Sequence, residues 1–105
     1  MARNFGFSDL HSFKDYVGFV KLCAPDRFPV EDWAGPDDQM TLDLAFEGLR
    51  LGLAMASEEK GQRVEFTQGK ALVEEAYSAY KEGRVRDGFF KLAQLQKLLK
   101  KVPSR

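Results

Sequence analysis

The chain has 105 residues, enough for one domain around a single core, and its 44% hydrophobic and 12% aromatic content is that of a folded chain rather than a disordered one. Sixteen basic and sixteen acidic residues cancel, which argues against a nucleic-acid binder held by net charge. The single cysteine, Cys23, excludes an internal disulfide, and no uncharged apolar run is long enough for a membrane span or a signal peptide; the expected setting is the cytosol, away from any membrane.

Taken in order, Ser8 reads as an N-cap with Asp9 suited to the positive end of a helix, and Leu10, Phe13, Val17 and Val20 then recur at spacings of three and four. This predicts a first helix over about 8–23, stopped where Ala24 meets Pro25, because the residue before a proline is driven out of the helical region. Phe5 and Phe7 precede it and are expected to fold back onto the core. Between Pro25 and Gln39, three prolines and a glycine with no sustained period predict a long loop, for which Phe28, Val30 and Trp33 are the candidate anchors.

Pro36, Asp37 and Asp38 suit the first turn of a second helix, predicted over about 37–60 and closed by Gly61. Its residues sort into four sides. Leu42, Phe46, Leu49 and Leu53 form one apolar stripe; Leu44, Leu51 and Met55 form another; Ala45, Gly48 and Gly52 make a small-residue side; Asp43, Glu47 and Arg50 hold a polar strip. A helix apolar over most of its circumference is expected to have neighbours on most sides, which makes it the central helix of an all-helical domain.

Val64 and Phe66 are expected as apolar plugs in a short connection. A third helix is then predicted over about 67–82, with Leu72, Val73, Ala76, Tyr77 and Tyr80 inward and Gly83 as a left-handed C-cap. A fourth follows over about 85–101, its seam of Gly88, Leu92, Leu95, Leu99 and Val102 alternating four and three, as in a helix packed antiparallel on its neighbour. The expected architecture is an all-α bundle of four main helices in one domain, 1–105.

Tyr80 to Leu95, YKEGRVRDGFFKLAQL, resembles the turn of a tetratricopeptide repeat, with Tyr80, Gly83 and Gly88 on the family's tyrosine, glycine and small positions and Leu92 where the family has an aromatic. The resemblance covers residues 67–102, without a second copy and without the family's tryptophan and glycine in the first helix. It implies a closely packed hairpin and not the peptide-binding groove of an array.

The neutral total hides a polarity. Residues 24–47 hold seven acids (Asp26, Glu31, Asp32, Asp37, Asp38, Asp43, Glu47) against Arg27, whereas residues 81–105 hold eight bases against Glu82 and Asp87. Either the two segments neutralise each other inside the fold, or they face charged partners. Catalytic patterns are missing: His11 and Cys23 lie about 18 Å apart along one predicted helix, and no nucleophile elbow, zinc pattern or phosphate loop occurs. The acids around Asp37 fit no calcium loop and are explained by helix capping, so no metal and no cofactor is expected.

Phe90 is the sharper anomaly. With the seam of the fourth helix taken as inward, Phe90 points outward among Arg86, Gln94, Lys97 and Lys101, to be either covered by the N-terminal segment or used as a contact anchor. Trp33 poses the same choice within the acidic segment. The expectation is a small protein-binding protein and not an enzyme, with Asp26, Glu31, Asp32, Trp33, Asp37 and Asp38 facing a cationic partner, and Phe90, Lys97 and Lys101 as a second candidate contact. In size, helical plan and acidic segment the chain is similar to bacterial immunity proteins and antitoxins, which implies a cognate toxin as partner. A helical adaptor or self-associating module built on the C-terminal hairpin is the alternative.

Overall fold

The computed structural model describes residues 5–30, 35 and 39–103, and within them the chain forms four helices: α1 (Leu10–Cys23), α2 (Leu42–Lys60), α3 (Val64–Lys81) and α4 (Val85–Lys100). Each packs against two others. α1 lies on α2 and α4, and α3 lies on α2 and α4. Cross-helix partners run in opposite directions on every side: Tyr16 reaches Ala45 while Leu10 reaches Glu59, Asp43 meets Lys81 while Arg50 meets Glu74, and Lys21 meets Gln96 while Lys14 meets Val102. The fold is therefore an up-down-up-down ring of antiparallel helices around one core.

Local chemistry sets the helix ends. Asp9, one residue later than expected, caps α1: its Oδ1 accepts from the Ser12 amide at 2.9 Å, and its own amide donates to Ser12 Oγ at 3.2 Å, a reciprocal capping box. That amide bond holds the Asp9 carboxyl below its ordinary pKa. α2 begins at Leu42 rather than at Asp37, because the Thr41 hydroxyl accepts from the Leu44 amide at 3.2 Å and supplies the cap; Gly61, at φ +84°, closes the helix as expected. α3 begins three residues before the predicted start. Phe66 is a buried residue on its first turn, continuous with Gly69 and Val73, while Val64, expected as a plug, faces solvent. Between α3 and α4, Gly83 at φ +81° lets its own amide reach Tyr80 O at 3.1 Å and the Arg84 amide reach Ala79 O at 2.8 Å, a Schellman closure.

The central position expected of α2 is corrected by the ring. Its buried residues (Ala45, Phe46, Gly48, Leu49, Gly52, Leu53, Ala56) cover the side shared by α1 and α3, whereas Leu51 is 47% exposed. The small-residue side is where α1 comes close: the ring of Tyr16 lies over Gly48 and that of Phe13 over Gly52, so that a Cβ at either glycine would overlap them. Phe5 and Phe7 do fold back, Phe7 standing 5.1 Å from both Phe13 and Tyr16. At the start of the connection between α1 and α2, Phe28 packs 6.0 Å from Phe19, but Val30 is exposed and anchors nothing. Trp33 lies outside the described residues, as do the others of 31–34 and 36–38 in the expected loop.

Candidate docking face on the fourth helix

The seam of α4 is buried as its spacing predicts, with Gly88, Leu92, Leu95 and Leu99 inward and Val102 just beyond. Gly88 is required there because the Tyr80 ring lies against it; an added Cβ would come 2.7 Å from the ring. Fixing that seam turns the rest of the helix outward. Phe90 is 56% exposed and Phe89 40%, their ring centroids 6.1 Å apart. The described N-terminal residues do not cover Phe90: Phe5 and Phe7 sit on Tyr16, on the α2 side of α1. Residues 1–4 of that segment lie outside the described ones.

Around the two rings the charges divide. Arg84 is held by Glu82 and Asp87, and Lys91 reaches Glu75 at 3.5 Å. Arg86, Lys97, Lys100 and Lys101 are exposed and have no ion partner among the described residues. Across the junction with α1, Lys21 donates to Gln96 Oε1 at 2.7 Å and places its Nζ 5.6 Å from the Phe89 ring centroid. Leu22 lies in the last turn of α1 and Val85 begins α4, both exposed, so antiparallel packing gathers four of the seven exposed large apolar residues among those described, Phe89 and Phe90 included, toward one end of the bundle.

Beside α4, a groove of about 500 Å³ against α3 is lined by Phe90, Lys91 and Gln94 and by the carboxylates of Glu74, Glu75 and Asp87. A second groove, of about 600 Å³ between α2 and α3, has Leu53, Phe66 and Val73 at its floor and Arg50, Lys70 and Glu74 on its rim. Both grooves carry carboxylates and cations, Glu58, Lys70 and Glu74 in the one between α2 and α3 and Glu75, Asp87 and Lys91 in the one beside α4. His11 and Cys23 stand near opposite ends of α1, and no group of three or more metal-binding side chains occurs among the described residues. Among the described residues one buried side-chain polar atom lacks a partner: the Tyr80 hydroxyl, whose burial pushes its pKa up to about 12.

Of the residues singled out in the sequence, the structure brings Phe90, Lys97 and Lys101 together on the outward side of α4. Asp26, just past α1, is exposed and makes no ion pair with the lysines. Glu31, Asp32, Trp33, Asp37 and Asp38 lie outside the described residues. Phe89 and Lys21 were missed. Phe89 sits next to the seam and reads as its border, and Lys21 joins the face only through the pairing of α1 with α4, which no spacing along one helix reveals. No protein-family model matches this chain, nor does any curated protein or solved structure.

Proposed function

We propose that this chain is a small protein-binding protein, acting in the cytosol by occupying a partner's surface rather than by catalysis, and that it docks through the outward face of α4. The observation that carries the reading is the exposed Phe89–Phe90 pair on a helix whose Arg86, Lys97, Lys100 and Lys101 have no ion partner among the described residues. A large aromatic left in water costs hydration free energy that burial in a complex recovers, and such residues dominate contact energies. With a toxin as partner, this is an immunity-type role; with another protein, it is that of an adaptor. The cationic face favours an acidic partner surface over the cationic one expected from the acidic segment.

The test uses the full chain and its Phe90→Ser variant as baits in lysate of the cells that encode it, followed by reconstitution of any retained protein from purified components. A purified partner that binds the parent and loses about tenfold or more of its affinity for Phe90→Ser supports the reading. A partner indifferent to Phe89 and Phe90 substitutions removes α4 from the interface.

A further inference from the structure

We infer that the outward face of α4 takes an acidic amphipathic helix of its partner, with an apolar residue against Phe89 and Phe90 and its acids over the lysines at the far end of α4; this rests on the protein-binding reading above. The face is not uniform. Its aromatics lie in the first turns of α4, and Lys97, Lys100 and Lys101 lie in the last. A rise of 1.5 Å per residue puts Lys97 about 10 Å and Lys101 about 16 Å beyond Phe90 along the helix axis. The complement of such a face is an apolar anchor followed, at that distance, by carboxylates.

A second copy of this chain does not meet the requirement. Antiparallel pairing of two such faces sets the lysine cluster against Arg86 and Lys21 of the other copy, and parallel pairing sets cluster against cluster, so either orientation opposes like charges. An added strand finds no sheet edge, since the described residues form helices and turns only. What runs beside α4 is the groove against α3, where Phe90 and Gln94 stand beside Glu74, Glu75 and Asp87, each carboxylate already paired with Arg50, Lys91 or Arg84, and a smaller depression against α1 that includes Gln96 and Lys100. Among the described residues, the lysines at the far end of α4 are left without an ion partner. Grooves parallel to a helix receive another helix, read at every third or fourth residue. A polyphosphate surface, nucleic acid or anionic lipid, would engage the same lysines, but a chain with no net charge supplies no long-range attraction to it.

The experiment titrates the full chain with two fluorescent helical peptides of roughly 20 residues that share the same leucine anchors and differ in carrying glutamates or lysines at the positions about 10 to 16 Å beyond them. Duplex DNA and phosphatidylserine vesicles are run alongside, and far-UV dichroism verifies that every variant stays helical. The glutamate peptide is expected to bind about tenfold or more tightly than the lysine peptide, to weaken as salt rises, and to lose that preference with Lys97→Glu/Lys101→Glu, which instead gains for the lysine peptide. Equal binding of both peptides that still depends on Phe90 overturns the acidic helix and leaves the docking face standing. Binding of neither peptide, or of DNA or vesicles alone, overturns both.

Discussion

The two faces of α3 and α4 that point away from the core treat their charges in opposite ways. On the α2–α3 side the charges around Tyr77 are paired: Arg50 grips Glu74 with two bonds of 2.7 and 3.0 Å, while Asp43 accepts from Tyr77 and pairs with Lys81 at 3.2 Å. The Tyr77 ring, 5.3 Å from Phe46 beneath it, is flanked by Arg50 and Lys81. On the outward side of α4, Arg84 and Lys91 have acidic partners, but Arg86, Lys97, Lys100 and Lys101 stand beside the exposed aromatics with no ion partner among the described residues. Similar residue types thus close one surface and leave the other open, and the difference is set by whether the neighbouring helix supplies the complement. Among the described residues, Asp43–Lys81 is the one ion pair that joins the acidic and basic segments.

The comparison breaks first at its base. Phe46 is fully buried and touches both Tyr77 and Tyr80, so Phe46→Ala is expected to cost about 3–5 kcal/mol in equilibrium denaturation through the cavity it leaves. A loss below about 1 kcal/mol means that the closed face is not built on that ring.

Tyr80 sharpens the same contrast from inside, because it is only 6% exposed and its hydroxyl has no partner. Tyr80→Phe is therefore expected to gain roughly 1 kcal/mol, the opposite sign to most core substitutions. Its folded pKa is raised, so the stability tied to the protonated phenol is present below about 10 and is lost as pH climbs through about 12. Alkaline denaturation should be less steep over that window in Tyr80→Phe. If the variant is instead less stable at neutral pH, a bound water completes the hydroxyl's bonding.

Much of this was legible along the chain, and the remainder was hidden for physical reasons. The α4 seam and the Gly83 turn follow from local spacing, which a helix and its cap express directly. The start of α3 did not, because Gly69 stands where the inward periodicity between Phe66 and Val73 calls for a side chain, and hydropathy cannot read an absent one. Gly48 and Gly52 announced a close approach without naming the visitor, since the rings of Tyr16 and Phe13 arrive from a different helix. In the same way the apolar girth of α2 records two neighbours and an exposed Leu51, not burial at a centre. The docking face was half visible: Phe90 stands out from the seam in sequence, whereas its relation to Lys21 is tertiary.

A smaller effect belongs to the closed surface. The guanidinium bond from Arg50 holds the Glu74 carboxyl below its ordinary pKa, so this stabilisation is present above the unfolded pKa and is lost as pH falls through the lower folded value. Both side chains are about half exposed, and an ion pair in that setting contributes about 0.2–1 kcal/mol. Glu74→Gln should remove that amount near neutral pH and nothing below the folded pKa, as followed by urea midpoints across the acid range. A penalty that persists at acid pH points to packing rather than charge.

The smallest effect is expected where the open face is cut. Phe90 makes its ring contact with Phe89 and lies on the rim of a groove, but more than half of it is in water, and Lys97 and Lys101 have no ion partner among the described residues. Phe90→Ser, or Lys97 and Lys101 each changed to Ala, should therefore move the unfolding free energy by no more than about 0.5 kcal/mol. Removing one of three neighbouring cations also relieves their mutual repulsion, which for the lysine variants offsets part of any lost favourable interaction with the C-terminal end of α4. The contrast with Phe46 is what makes the number informative: two phenylalanines in one small bundle, one costing several kcal/mol and the other almost nothing. A residue of that size that adds so little to the fold is available to a partner, and a loss above about 1.5 kcal/mol in Phe90→Ser would instead make the ring part of the bundle's own packing.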